Sequence, residues 1–177
     1  MKLCIKIFMI ALIFTGCDKD KPTCQGIDCL PPATQTGAGT FGCLVNGVPY
    51  VDNSGRFNCF YQLVNGEYYF SISSENTNIV PRNIRLSTNS SSLNTQNIYN
   101  LLEPANGNAH AAVIFNYSGV QPNENTTNTQ NFGSLQITKL DFTNKIISGI
   151  FKFQVRDAIN NKIYNITEGR FDAKFTQ

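Results

Sequence analysis

The chain has 177 residues, of which 41% are hydrophobic and 15% charged, a composition that suits one packed domain and excludes a charge-driven disordered chain. Its 14 basic and 12 acidic residues give a formal net charge of +2. Removal of Lys2 and Lys6 with an N-terminal signal would leave a nearly neutral chain without a basic patch, so we expect no nucleic-acid partner.

The N-terminal segment has the layout of a secretory signal. Lys2 and Lys6 give a basic start, an apolar run covers residues 7–14, and small residues precede Cys17. The run is too short for an ordinary membrane span. Residues 1–16 are therefore predicted to be a cleaved signal peptide, and cleavage elsewhere by the ordinary signal peptidase is the alternative.

Residues 14–17, Phe-Thr-Gly-Cys, resemble the lipobox of bacterial lipoproteins, with Phe14 in place of the usual Leu. In that motif the cysteine thiol takes a diacylglycerol group and becomes the new N-terminus. The resemblance implies lipidation of Cys17 and a lipid anchor in the cell envelope. Residues 18–21 resemble the export tag of Bacteroidetes-type outer-membrane lipoproteins, and a solvated charge run is the alternative.

Residues 17–39 are predicted to be a flexible tether that carries the lipidated cysteine at its start. The segment is rich in Pro, Thr, Gly and Ala, and Pro22, Pro31 and Pro32 disfavour helix and strand alike. Fully extended, residues 18–39 would reach roughly 70 Å at about 3.3 Å per residue.

Four of the 6 cysteines remain after Cys4 in the signal and Cys17 are set aside. Because an exported chain meets oxidising conditions, we predict two disulfides, Cys24 with Cys29 in the tether and Cys43 with Cys59 between two early strands. One alternative is a metal site, which the single histidine of the chain does not favour. Another is that the second pair are buried thiols.

Residues 40–177 are predicted to form an all-β domain, an antiparallel β-sandwich or small β-barrel of about 8–10 strands. Apolar and polar residues alternate along several segments, and Asn46-Gly47 and Asn65-Gly66 predict two-residue hairpins. Polar stretches at residues 87–97 and 118–131 are predicted to be exposed loops. Strands are predicted near residues 41–45, 48–51, 56–64, 67–73, 83–87, 98–101, 111–117, 134–142, 146–157 and 162–175.

Six aromatic residues cluster in the sequence: Phe57, Phe60, Tyr61, Tyr68, Tyr69 and Phe70. Alternation along a hairpin places Phe60 and Tyr69 on the face opposite to the others. An exposed aromatic face would stack against sugar rings or another apolar ligand, so these two residues are predicted ligand contacts. The alternative is that the fold covers both faces.

No catalytic motif is recognised in the sequence. The one histidine, His110, is expected at a loop or strand end, and a nucleophile elbow and a phosphate-binding glycine loop are both missing. Paired acids would be needed to cleave sugars, and alternation places Asp172 on the outward face of its strand. The other acidic candidates are Glu67, Glu75, Asp141 and Glu168.

We therefore predict a noncatalytic envelope lipoprotein, without cofactor or metal, whose domain binds a protein, a glycan or an apolar ligand or plays a structural part. The alternatives are a lipocalin-like carrier with an internal cavity and a carboxylate-dependent hydrolase. Together with the lipobox, residues 30–37, 40–47, 146–151 and 166–171 resemble a family of uncharacterised lipoproteins from Bacteroidetes-type bacteria. That resemblance implies an outer-membrane location and a β-rich domain, and it implies no activity.

Overall fold

A computed structural model describes residues 24–117, 119 and 121–177. The predicted signal peptide and Cys17 lie outside the described residues. Strands dominate the described part and confirm the all-β class, and its one helical element is a 3₁₀ turn at Gly26–Cys29. Within these residues, no helix is long and apolar enough to cross a membrane.

Eleven strands form one sheet, which curls strongly into a half-barrel. Ten follow the order β2-β1-β11-β10-β9-β6-β7-β5-β4-β3, and β8 pairs with β7. Neighbouring strands are antiparallel, except β6 and β7, which are parallel. The strands are β1 (Thr40–Val45), β2 (Val48–Val51), β3 (Asn58–Val64), β4 (Glu67–Glu75), β5 (Asn83–Thr88), β6 (Ile98–Leu101), β7 (Ala109–Phe115), β8 (Asn123–Thr126), β9 (Gly133–Asp141), β10 (Ile146–Arg156) and β11 (Ile163–Lys174).

Backbone hydrogen bonds draw the two ends of the sheet together. The Tyr61 N–H donates to the Thr176 carbonyl at 2.9 Å, and the Thr176 N–H donates to the Cys59 carbonyl at 3.1 Å. The chain that follows β11 thereby reaches β3, the last strand of the sheet. On the other side, the Tyr50 hydroxyl of β2 donates to the Ser74 carbonyl of β4 at 3.1 Å. These contacts hold the sheet in its curled form.

The two predicted Asn-Gly hairpins are confirmed. Asn46 and Asn65 have φ angles of 49° and 51°, and Gly47 and Gly66 have φ angles of 83° and 85°. Two successive positive φ angles match the right-handed twist of the flanking strands, so these turns join β1 to β2 and β3 to β4.

The predicted loop at residues 118–131 is wrong over part of its length, because β8 (Asn123–Thr126) lies within it. This strand pairs with β7, where Thr126 lies opposite Ala112 and Glu124 opposite Ile114. Its sequence, Asn-Glu-Asn-Thr, has no apolar residue and therefore no hydrophobic period. Pairing with one neighbour at the sheet margin needs only backbone groups.

Aromatic side chains occupy the inside of the curled sheet. The ring centroid of Phe151 lies 5.1 Å from that of Phe41 and 6.4 Å from that of Phe171. Glycines admit these rings, since a Cβ at Gly169 would lie 2.5 Å from a ring carbon of Phe151 and one at Gly149 would lie 2.7 Å from Phe171 Cζ. The interior is thus filled by close-packed side chains, which counts against a carrier whose ligand would sit there.

The disulfide prediction is confirmed for Cys24–Cys29, whose Cα atoms lie 5.0 Å apart. It is wrong for Cys43 and Cys59, which are buried free thiols. These residues lie on β1 and β3, which are near in sequence but are not neighbours in the sheet. Burial raises the pKa of the Cys59 thiol to about 12 and also raises the pKa of Cys43. Both therefore pack as small apolar residues.

We expect Cys43 and Cys59 to react with a thiol reagent only after unfolding. In a full chain carrying Cys4→Ser and Cys17→Ser, two thiols should appear in guanidinium and none in the native state at pH 8. Two further thiols should appear when the Cys24–Cys29 disulfide is reduced. A guanidinium-unfolded chain that shows no thiol before reduction would contradict this assignment.

Asp172 is buried, contrary to the prediction that it lies on the surface. Its exposed fraction is 0%, because residues 34–38 cover the outer side of β11 at this point. The carboxylate accepts hydrogen bonds from the Ser148 hydroxyl at 2.8 Å and from several groups of that covering segment, namely the Thr34 and Thr36 hydroxyls and the Thr36, Gly37 and Ala38 N–H groups.

Burial by itself raises the pKa of Asp172, but the hydrogen bonds from Thr34, Thr36, Ser148 and Ala38 outweigh it and hold the pKa well below the usual aspartate range. The same contacts fix residues 34–38 to the domain. Leu30 is also buried, and a Cβ at Gly42 would lie 2.6 Å from Pro31 Cδ. Residues 30–38 of the predicted tether are therefore docked on the domain.

Candidate ligand-binding surface

The outer face of β3, β4, β5 and β7 carries a concavity of about 430 Å³. A row of four residues crosses it, in which Phe60 lies opposite Ser71, Ser71 opposite Ser87, and Ser87 opposite His110. Three interstrand spacings of about 4.8 Å make the row roughly 14 Å long. Its lining also includes Asn58, Tyr69, Ser73, Arg85 and Asn89.

Two small residues form the floor of the concavity. Ser71 and Ser87 are buried, and the Ser87 hydroxyl donates to the Ser71 hydroxyl oxygen at 2.9 Å. They lie between the larger side chains of Phe60 and His110, and this difference in size creates the depression. A hydroxyl oxygen that takes part in one hydrogen bond keeps capacity for another, so the floor offers polar groups to a ligand.

Phe60 and Tyr69, the two predicted ligand contacts, are half-buried and both line this concavity. The other aromatic residues of the sequence cluster belong to the interior or pack against it. The Tyr69 hydroxyl hydrogen-bonds to Glu67 Oε2 at 3.1 Å and to Ser90 Oγ at 3.0 Å. Hydrogen bonds from Ser90 and Tyr69 lower the pKa of Glu67. The Tyr69 ring is thus held in place by its hydroxyl group.

His110 stands at the far end of the row, second in β7. It is 6% exposed, and its buried Nδ1 atom has no hydrogen-bond partner among the residues that the structure describes. Burial, followed by the positive charge of Arg85, lowers the pKa of His110, and Glu124 opposes the shift. Burial and Arg85 both favour the neutral form of the ring. An unpaired buried polar atom costs about 1–3 kcal/mol, so the site holds unused hydrogen-bonding capacity.

An ion pair borders the same surface. Arg85 Nη2 lies 2.9 Å from each carboxylate oxygen of Glu124. Both side chains are more than a third exposed, so the pair contributes little to stability. Arg85 lies opposite Ser73, which in turn lies opposite Asn58. This second row places a guanidinium, a hydroxyl and an amide beside the first.

Each of the acidic residues considered for sugar cleavage has interaction partners of its own. Glu75 pairs with Arg82 at 2.6 Å, Asp141 lies 3.7 Å from Lys139, and Glu168 lies 3.7 Å from Arg170. Glu67 and Asp172 have the partners given above, and among the described residues these five acids share no hydrogen-bonding group. The described part of the chain also holds no group of three or more His, Cys, Asp or Glu residues suited to a metal ion.

The structure brings Phe60 and Tyr69 together with groups that the sequence analysis did not assign to a site. Ser71, Ser87 and Arg85 carry no motif, and His110 was expected to have no functional part. The alternation along β4, β5 and β7 would have placed these side chains outward with Phe60, but only the strand order shows that they form one row.

These features define an all-β protein with one strongly curled sheet and a polar concavity edged by aromatic rings on its outer face. Comparison with protein-family models, with curated proteins and with solved structures finds no match for the chain.

Proposed function

We propose that the chain is a noncatalytic lipoprotein of the cell envelope, anchored through Cys17, whose β domain binds a short glycan in the concavity of β3, β4, β5 and β7. The lipobox resemblance supports the location. The binding role rests on one observation, the row in which Phe60, Ser71, Ser87 and His110 lie side by side.

The chemistry of this row suits a sugar. A pyranose presents apolar C–H faces and a rim of hydroxyl groups. Phe60 and Tyr69 are diagonal neighbours across β3 and β4, a position that sets residues about 7–8 Å apart, so both rings can contact one saccharide. The Ser71 hydroxyl can donate a hydrogen bond to a sugar hydroxyl, the Ser87 hydroxyl oxygen can accept one, and the imidazole of His110 offers one donor and one acceptor.

The size of the concavity favours a short glycan over a protein partner. A row of roughly 14 Å matches a mono- or disaccharide, whereas a stable protein interface buries about 800 Å² on each partner. Glycoside hydrolysis needs two carboxyl groups roughly 5–10 Å apart in one cleft, and the described residues that line this concavity include no Asp or Glu, which supports binding without cleavage.

The proposal is tested by NMR titration of the full chain carrying Cys17→Ser with four disaccharides, namely maltose, cellobiose, chitobiose and digalacturonate. At least one should shift the amide signals of Ser71, Ser87 and His110. Phe60→Ala should weaken that binding roughly two- to tenfold, because an aromatic contact contributes about 0.5–1.5 kcal/mol beyond burial.

Phe132→Ala is the matched control, since Phe132 is an exposed aromatic residue outside this surface, with an exposed fraction of 59%. The Phe132→Ala variant should bind the disaccharide with the same affinity as the chain that carries only Cys17→Ser. The proposal fails if none of the four sugars shifts signals at the concavity, or if Phe60→Ala binds as tightly as Phe132→Ala.

A further inference from the structure

We propose that the concavity of β3, β4, β5 and β7 prefers an acidic saccharide, and that the guanidinium of Arg85 binds the carboxylate of a uronic acid unit. This inference rests on the glycan-binding function proposed above and deepens it, because it assigns a charge to the sugar. It also assigns a direction, with the acidic unit beside Ser73 and Arg85. The two proposals make separate predictions, since a glycan site of this shape does not by itself require a charged ligand.

Arg85 is the one residue with a permanent charge among the described residues that line the concavity. The other lining side chains are aromatic or carry hydroxyl, amide or imidazole groups, and none of them is Asp or Glu. The imidazole is that of His110, whose neutral form is favoured by burial and by Arg85. Arginine keeps its charge in proteins, so the lining is positive at the position of Arg85.

The counter-ion of Arg85 comes from outside the concavity. Glu124 belongs to β8, on the far side of β7, and is not among the lining residues. Phe60 and Ser71, which do line it, lie on β3 and β4, on the other side of β5. Ala112 lies opposite Arg85 on β7, and its short side chain leaves room for Arg85 and Glu124 to meet above that strand.

The guanidinium keeps hydrogen-bond donors for a ligand. Only its Nη2 atom takes part in the pair with Glu124. An arginine has five N–H donors, and the Nε and Nη1 groups of Arg85 have no acceptor in the described part of the chain. The pair with Glu124 is exposed and therefore weak. A ligand carboxylate can thus bind the same guanidinium through charge-assisted hydrogen bonds.

The spacing of the site suits two sugar units. Phe60 and Ser87 lie in the same row two strands apart, and Arg85 lies two residues before Ser87 on β5. Two interstrand spacings of about 4.8 Å and two residue spacings of about 3.3 Å place the Cα atoms of Phe60 and Arg85 roughly 12 Å apart. One unit can therefore contact Phe60 while the next contacts Arg85.

Glu67 sets the direction of the ligand. Its carboxylate accepts hydrogen bonds from the Tyr69 and Ser90 hydroxyls, next to the aromatic end of the site. Ser73, which lies opposite Arg85, is six residues further along β4, a distance of about 20 Å. A negative unit is repelled at the Glu67 end and attracted at the Arg85 end, so the acidic unit should lie beside Arg85.

The test compares digalacturonate with its dimethyl ester, which has nearly the same shape and no charge. Both are titrated by NMR into the full chain carrying Cys17→Ser, at low ionic strength, where exposed charges are least screened. Digalacturonate should bind at least about fivefold more tightly than the ester, because charge-assisted hydrogen bonds are roughly twice as strong as neutral ones.

Two variants change the charge of the site in opposite directions. Arg85→Gln should remove the preference for digalacturonate and change the affinity for the ester less than about twofold. Glu124→Gln should strengthen the binding of digalacturonate about two- to threefold, because it removes the competing carboxylate. Both side chains are more than a third exposed, so both variants should fold, which the dispersion of the amide signals checks.

Lys152→Gln is the matched control. It removes an exposed positive charge from β10, outside the lining of the concavity, and should keep the preference of the chain that carries only Cys17→Ser.

Three results overturn this inference and leave the proposed glycan function in place. In the first, digalacturonate and its ester bind in the concavity with equal affinity. In the second, the preference for digalacturonate survives Arg85→Gln. In the third, maltose, cellobiose or chitobiose binds there and digalacturonate does not. If none of these sugars shifts the signals of the concavity, the proposed function and this inference fail together.

Discussion

Replacing Cys17 with Ala is expected to abolish fatty-acid labelling and to release the protein from membranes. In the proposed lipidation the Cys17 thiol would be the nucleophile that accepts the diacylglycerol group, and the methyl group of alanine cannot take that part. Each buried methylene contributes about 0.8 kcal/mol, so two or three acyl chains hold a protein stably whereas none leaves it in solution. Cells grown with an alkyne fatty acid, followed by membrane fractionation and intact-mass measurement, give the readout.

The matched control is Cys4→Ala, which removes the other cysteine of the N-terminal segment. Cys4 lies in the predicted signal peptide, so this variant should keep its acyl mass and its membrane fraction. The anchor is disproved if Cys17→Ala incorporates as much fatty acid as the unmodified protein, or if the native protein begins at Met1.

Replacing Asp172 with Ala is expected to lower the free energy of unfolding by at least about 3 kcal/mol. The substitution removes the ionised acceptor of the Gly37 and Ala38 N–H groups and of the Ser148 hydroxyl, and a hydrogen bond to a charged group contributes about 1.5–3 kcal/mol. It also frees residues 34–38 from β11. Urea unfolding measures the change, and the melting temperature should fall by roughly 6–12 °C. Asp28→Ala, an exposed aspartate in the same N-terminal segment, should change the free energy by less than about 0.5 kcal/mol.

The difference between the parent and Asp172→Ala should depend on pH in one direction. The pKa of Asp172 is lower in the folded state than in the unfolded chain, where it is about 3.9. The ionised carboxylate therefore stabilises the fold fully above about pH 5, and this stability is lost as the pH falls through 3.9 and toward the folded pKa. The difference in unfolding free energy between the parent and Asp172→Ala should be smaller at pH 4 than at pH 7, and smaller again at pH 2.5. A gap that stays constant across this range would contradict the role of the carboxylate.

Local signals in the sequence predicted the local features of the fold. The Asn46-Gly47 and Asn65-Gly66 turns depend on two residues each, and alternation alone gave the faces of Phe60 and Tyr69. The errors concern contacts between distant segments. Cys43 and Cys59 lie close in sequence, but the strand order separates them. Alternation placed Asp172 on the outer side of β11 and contained no information about the segment that covers it.

The residues of the proposed glycan surface were also predictable from the sequence only in part. Phe60 and Tyr69 could be proposed because aromatic residues on the outward face of a hairpin are unusual enough to notice. Ser71, Ser87 and His110 carry no such signal. Their alignment in one row depends on the register of three antiparallel pairs, which a single sequence does not specify. The sequence did not predict β8 for a related reason. This strand is held by backbone pairing to β7 and lacks the hydrophobic pattern that identifies the other strands.

The pairing of β1 with β11 affects the order of events when the protein is made. Thr40 lies opposite Asp172 in that pairing, and Thr176 completes the contact with β3. A domain whose first strand needs its last has a high contact order, and such topologies fold slowly. A chain crossing a membrane with its N-terminus first would therefore stay unfolded until its final residues emerged. An unfolded chain can pass through a narrow translocation channel. The sheet of such a chain would close only after its last residues had crossed.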